Sequence, residues 1–158
     1  MFSVSWEDLY FNVVLEDGVV VKSFFSEIPA FNTDYGQFKE QLEDYFSGKR
    51  VEFDIPVRLN VTPFIRRVLE EVSKIPYGKT ATYSDIAQKL KTSPRAVGQA
   101  VRRNPVPVII PCHRVVAKNG LGGYTTSVPN PKASLKIKEK LLKLEGQGFL
   151  FNTATLDV

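Results

Sequence analysis

The apolar positions of the chain fall into short β-rich runs at its start and helical stripes thereafter. Leu9–Leu15 and Val19–Phe25 are rich in β-branched and aromatic residues and flank Asp17-Gly18, which predicts a hairpin. Thr33–Phe46 reads as a helix, because Phe38, Leu42 and Tyr45 recur at helical spacing and Gly48 sits just past the end. Val51–Ile55 predicts a short strand, stopped by Pro56. The first sixty residues thus read as a small α+β unit, with no candidate chemistry in them.

The rest is mainly helical. Thr62-Pro63 is an N-cap followed by proline at the first helical position. Phe64, Ile65, Val68, Leu69, Val72 and Ile75 then form one apolar face, and a turn follows at Tyr77-Gly78. Thr82-Tyr-Ser-Asp85 has capping-box form, with Asp in place of Glu, and opens a short helix to Leu90. Ser93-Pro94 starts another, which ends before Asn104-Pro105. Two short helices about three residues apart predict a helix-turn-helix. Asn130-Pro131 opens a last helix carrying Ala133, Ile137, Leu141 and Leu144, and Gly146 ends it. The tail Gln147–Val158 reads as a loosely packed extension.

Charge divides the chain at the same place. Residues 1–60 hold 5 Lys+Arg and 11 Asp+Glu, whereas residues 61–158 hold 16 and 6. A basic half joined to an acidic half suggests that one face meets a polyanion; the alternative is an unevenly charged solvated surface. With 158 residues the chain suits one domain or two small ones sharing a core: 1–60, α+β, and 61–158, carrying the helix-turn-helix. No apolar run approaches the roughly 18 residues a membrane helix needs, and Met1–Phe11 has no basic-then-apolar signal pattern. A cytoplasmic monomer without membrane contact is expected.

The second helix of the pair, Pro94–Arg103, is slim, with Ala96, Gly98 and Ala100. It has few long polar side chains to read base edges. Its composition suits sequence-neutral binding in a groove, with Arg95 as a phosphate contact or wedge. Tight packing against another helix is the competing explanation.

One cysteine, Cys112, and one histidine, His113, stand side by side. That excludes an internal disulfide and a zinc site of four Cys/His ligands; separately, no metal and no cofactor is expected. Most lone cysteines are inert buried hydrophobes. The apolar run Val108–Ile110 places Cys112 at the end of a buried strand. Neighbours in a strand face opposite ways, so a thiol–imidazole pair needs a turn, which Pro111 could supply, or a bridging water.

Pro111-Cys-His-Arg-Val115 resembles the active-site signature of the O6-alkylguanine-DNA alkyltransferases. Thr82-Tyr83, Arg95-Ala-Val-Gly98, Asn104-Pro105, Gly122-Gly-Tyr124, Leu141-Leu142 and Glu145-Gly146 follow in family order, so the resemblance covers roughly residues 62–146. It implies an α+β protein with a small ribonuclease-H-like N-terminal domain and a helical C-terminal domain. It also implies direct repair by a methylated-DNA–protein-cysteine methyltransferase. Such a protein binds double-stranded DNA through the minor groove, rotates an O6-alkylguanine out of the stack and moves the alkyl group to Cys112. Flipping is needed because the reacting carbon is out of reach inside the duplex.

Displacement at a saturated carbon needs a thiolate, and an unperturbed thiol is only a few per cent ionised near neutral pH. The resemblance makes His113 the relay base, acting through a water, and Glu145 the carboxylate that orients and charges it. Asn104 pins the turn around Cys112 and His113. Tyr83 crowds the phosphate of the flipped nucleotide and protonates the base, and Arg95 fills the vacated space. Further DNA contacts are implied at Ser84, Ser93, Gly98 and Lys118, with Val115, Tyr124 and Thr125 holding the extruded base. The thioether product offers water no carbonyl to attack, and no second cysteine can take the group onward. One molecule should therefore repair one lesion and be consumed.

The chain departs from the family pattern in three places. It lacks the ligands with which some relatives hold zinc in the N-terminal domain. Arg103 occupies a place that is often small, and Thr125–Pro131 is longer than usual. Three rivals are a lesion-binding relative without transfer, a cysteine hydrolase and a helix-turn-helix regulator. The thiol at Cys112 argues against the first, and nothing marks an oxyanion site for the second.

Overall fold

The computed structural model describes residues 1–29, 36–50, 52–124 and 131–146. The hairpin forms where Asp17-Gly18 predicts it, joining strands β2 (Leu9–Glu16) and β3 (Val19–Ser26). Asp17 and Gly18 both take positive φ, 53° and 77°, which is the turn whose twist matches paired strands. A further strand, β1 (Phe2–Trp6), pairs antiparallel with β2, so the sheet order is β1-β2-β3. Sequence reasoning missed β1, although Phe2, Val4 and Trp6 alternate with serines. Helix α1 (Gly36–Phe46) covers the sheet. Phe46 packs its ring 5.0 Å from Trp6 and 5.5 Å from Phe11. The predicted start of this helix at 33–35 lies outside the described residues.

The strand predicted at Val51–Ile55 is not found in its described part, residues 52–55. Gln41 occupies the backbone there instead. Its amide donates to Asp54 O at 3.0 Å and accepts from Asp54 N–H at 2.8 Å, replacing a strand neighbour. Pairing comes only after Pro56. Val20 N–H donates to Pro56 O, and Arg58 N–H donates to Val20 O, each at 2.9 Å.

Helix α2 (Pro63–Ser73) starts as predicted, with the Thr62 hydroxyl accepting from Ile65 N–H. Its apolar face, Ile65, Val68, Leu69 and Val72, is buried. Strand β4 (Ala81–Thr82) runs into helix α3 (Tyr83–Leu90), and helix α4 (Pro94–Val101) follows. The capping box is complete: Asp85 N–H donates to Thr82 Oγ1 at 3.0 Å, and Thr82 N–H donates to Asp85 Oδ2 at 2.9 Å. Lys91, left-handed at φ 56°, turns the chain between the two helices. Helix α5 (Pro131–Leu144) closes the described chain, with Gly146 just beyond it at φ 90°. The stretch 125–130 and the tail 147–158 lie outside the described residues.

The buried strand expected at Val108–Ile110 is a tight loop instead. Pro105, Pro107 and Pro111 remove the amide donors that a ladder needs. Val108 takes φ 74°, and Ile110 N–H donates back to Val106 O at 2.9 Å. A positive φ at a β-branched residue is costly and persists only where surroundings enforce it. Two anchors come from β3: Ser23 N–H donates to Pro105 O and Ser23 Oγ to Pro107 O, both at 2.9 Å. Asn104 adds two more, accepting from Val106 N–H and donating to Ile110 O, both at 3.0 Å.

Candidate active site

Cys112 opens a single 3-10 turn, Cys112–Arg114, rather than ending a strand. Pro111 precedes it and accepts the Arg114 N–H at 2.9 Å. Strand β5 (Val115–Val116) follows and pairs in parallel with β4. This short turn puts a buried thiol beside a buried imidazole: Cys112 is 5% exposed and His113 0%.

Glu145 stands immediately after α5, where its amide still donates to Leu141 O. Its carboxylate gathers donors from four residues in three parts of the chain. His113 Nε2 lies 2.7 Å from Oε2. Arg114 donates Nε to Oε1 at 2.8 Å and Nη2 to Oε2 at 3.0 Å. Tyr45, from α1, donates its hydroxyl to Oε2 at 2.5 Å. Gly78 N–H approaches Oε1 at 3.4 Å from the Tyr77-Gly78 turn. Burial pushes the carboxyl upward, but the His113 and Arg114 hydrogen bonds outweigh it and hold it at about 2. An ionised carboxylate can only accept, so His113 Nε2 carries the proton and Nδ1 is the free acceptor. Nδ1 is buried without a hydrogen-bond partner among the described residues. Burial holds His113 below its ordinary pKa despite Glu145, so the ring is a neutral base.

Burial also raises the Cys112 thiol, against the pull of Asn104 and of the Lys138 ammonium. Lys138 is itself wholly buried. It donates to Val115 O at 2.7 Å and to Gly123 O at 2.9 Å, and burial lowers it to about 8. The Tyr83 hydroxyl donates to the same Gly123 carbonyl at 3.5 Å, and its ring lies 6.0 Å from the ammonium. Burial keeps Tyr83 protonated beyond its ordinary range.

The Tyr83 ring lies between two glycines. A Cβ on Gly98 would meet it at 3.8 Å, an ordinary contact, and one on Gly122 at 2.8 Å, a collision. Tyr124 buries its hydroxyl against the Cys112 thiol, and burial keeps that phenol neutral, well above its ordinary pKa. Arg95 is exposed in the first turn of α4, and Ser84, Ser93 and Lys118 are exposed as well. The Ser93 hydroxyl caps α4 by accepting from Ala96 N–H. Val115 is buried, and its carbonyl already accepts from Lys138. Thr125 lies outside the described residues.

Three residues of this cluster escaped sequence reasoning. Arg114 sits inside the signature without an expected role. Lys138 shares the buried face of α5 with Leu141 and Leu142, and a cation at that spacing was the available signal. Tyr45 shows that the first sixty residues do reach the site, contrary to expectation. A tyrosine in an apolar stripe needs a partner for its hydroxyl, and that was its signal.

Residues 63–147 match the family model for the DNA binding domain of 6-O-methylguanine DNA methyltransferase, and residues 29–59 match that for its ribonuclease-like domain. The methylated-DNA–protein-cysteine methyltransferase of Archaeoglobus fulgidus is 60% identical over 146 residues, covering 92% of this chain and 99% of that one. The crystal structure of the Mycobacterium tuberculosis O6-methylguanine methyltransferase superposes with a TM-score of 0.76 at 30% identity, over 90% of each chain. A Mycobacterium tuberculosis structure in complex with DNA gives 0.73 at 27% identity, over 92% of each. Among the described residues, no helix is long and apolar enough to cross a membrane. With the ordered motifs, the helix pair and the buried Cys112–His113–Glu145 cluster on one scaffold, the chain belongs to the 6-O-methylguanine DNA methyltransferase family.

Proposed function

We propose that this protein repairs O6-alkylguanine in duplex DNA by taking the alkyl group onto Cys112, with the roles of the cluster as follows. One observation carries the reading. His113 commits Nε2 to Glu145 and keeps a free, buried Nδ1 on the residue next to the chain's only thiol.

Binding begins with the basic half. Residues 61–158 form the alkyltransferase unit and residues 1–60 its support. The slim helix α4 lies in the minor groove, and Arg95 fills the space left by the extruded guanine. Ser84, Ser93 and Lys118 meet backbone phosphates without reading sequence. Gly98, like Ala96 and Ala100, keeps α4 slim enough to approach the groove floor closely. The Val115 carbonyl, Tyr124 and Thr125 hold the base.

The thiol proton passes through a water to His113 Nδ1, and Glu145 keeps the ring oriented. Sγ attacks the alkyl carbon, the S–C bond forms and the C–O6 bond breaks. The electron pair of that bond goes to the guanine, which takes a proton from Tyr83. The proton lost by the thiol balances the one the base gains. Lys138, packed beside the Tyr83 ring, favours the thiolate of Cys112. The thioether is final, so each molecule acts once. The protein works as a monomer in the cytoplasm, where thiols stay reduced.

The test is intact mass after incubation with duplex DNA containing O6-methylguanine. One added methyl on Cys112, absent in Cys112→Ser, is expected. Steady release of free product would point to hydrolysis, and tight lesion binding without a mass change to a sensor.

A further inference from the structure

Tyr45 stands 100 residues before Glu145 in the chain, yet its hydroxyl donates to Oε2 at 2.5 Å and lies 3.5 Å from His113 Nε2. The side chain is fully buried. Its ring is boxed by Phe46 at 5.2 Å, Phe53 at 5.1 Å and Tyr77 at 6.2 Å. A buried hydroxyl so enclosed has little freedom to turn elsewhere. Oε2 is the oxygen that also receives His113, so the one atom that sets the imidazole tautomer is shared with α1.

We infer that Tyr45 is a positioning residue of the transfer reaction, through which the N-terminal α+β unit fixes the Glu145 carboxylate that orients His113. The inference rests on the transfer chemistry proposed above. Sheet and helix reach the site separately. Ser23 of β3 anchors the loop before Cys112, and Tyr45 of α1 anchors the carboxylate behind His113. Only the second contact touches a group that titrates with the relay.

The titratable and charged groups around the relay are Cys112 and Arg114 from the 3-10 turn, Tyr45 from α1, Tyr77 from the turn after α2, Tyr124 from the loop after β5, and Lys138 from α5. Removing the Tyr45 hydroxyl leaves Oε2 more negative toward His113. The imidazolium is then favoured, and the acid limb of the rate profile moves to higher pH.

The experiment compares full-length Tyr45→Phe with Val13→Ala, a core substitution in β2 that lowers the melting temperature without touching Glu145. Methyl transfer from an O6-methylguanine duplex is timed from pH 5 to 9, with duplex affinity measured in parallel. In Tyr45→Phe we expect transfer to slow about 10-fold, as for loss of one charge-assisted hydrogen bond. The acid limb should rise by roughly half a pH unit with duplex affinity unchanged. In Glu145→Gln the same substitution should add little, because the two act through one carboxylate. Wild-type rates and limb in Tyr45→Phe would overturn the inference. So would a slowing matched by Val13→Ala with the limb unmoved, additive effects in the Glu145→Gln background, or a Tyr45→Phe chain that does not fold. No methyl transfer by the wild-type protein would instead refute the proposed function itself.

Discussion

Arg114 grips both oxygens of Glu145, through Nε at 2.8 Å and Nη2 at 3.0 Å, with both side chains buried. Arg114 Nη1 donates in addition to Ile75 O at 2.7 Å, so the guanidinium is fixed in place. The carboxylate's charge is therefore balanced before His113 enters. Glu145 acts on His113 chiefly by holding Nε2, which leaves the ring neutral and its Nδ1 lone pair available.

Arg114→Leu should strand that carboxylate. Removing one partner of a buried pair typically costs about 3–5 kcal/mol, readable by urea unfolding at pH 7. Glu145 titrates at about 2, below the unfolded value, so its stabilisation is present above about pH 4.3 and fades as pH falls toward 2. In the variant the carboxyl's folded value should rise toward the unfolded one, so the loss of stability below about pH 4.3 should shrink. Wild-type stability in Arg114→Leu from pH 3 to 7 would show that the pair contributes nothing.

Gly122→Ala and Gly123→Ala should separate sharply. Gly122 has φ 72°, and a Cβ there would come within 2.8 Å of the Tyr83 ring and 3.2 Å of Ala117 N. Gly123 has nothing within 4 Å of its Cβ position. Thermal unfolding should show a loss of about 1–3 kcal/mol for the first and within about 0.5 kcal/mol for the second. The first should also slow methyl transfer, because Tyr83 is displaced. Equal stabilities would mean that Tyr83 yields freely.

Lys138 should leave a mark at alkaline pH. Its folded value of about 8 lies below the ordinary 10.5, so the folded state sheds its proton first. Stability should then rise between about pH 8 and 10.5 by this group's share, the full cost of its charge being present below pH 8. Lys138→Met should flatten that rise relative to the wild type. If unfolding curves of the two proteins run parallel over this range, Lys138 titrates normally.

Alkylation itself should destabilise the fold. Cys112 is 5% exposed, with Asn104, Tyr124 and Lys138 against it. Added volume in a packed site typically costs ~1–3 kcal/mol. Calorimetry of the protein before and after stoichiometric methylation should show a lower melting temperature afterwards. An unchanged one would mean the pocket has room to spare.

Much of the fold was legible because its signals are local. The Asp17-Gly18 turn, the Thr62 and Ser93 caps and the Thr82–Asp85 box each depend on residues a few positions apart, and each forms. The two failed strands show the limit. Val51–Ile55 and Val108–Ile110 are apolar enough for strands, but partners distant in the chain decided otherwise. Gln41 took the backbone of Asp54, and prolines, Asn104 and Ser23 bent the second run into a loop.

The sequence by itself determined the reactive group and its class of chemistry. A single cysteine beside a single histidine, within an ordered set of family motifs, leaves one atom able to accept an alkyl group. Tertiary structure alone decided how that atom is served. Tyr45, Arg114, Lys138 and Glu145 are scattered along the chain, so no local pattern reports that Tyr45 and Arg114 crowd the Glu145 carboxylate while Lys138 lies by the thiol. Burial makes the difference: where water is excluded, each polar group must find a protein partner, and only the folded chain shows which partner it found.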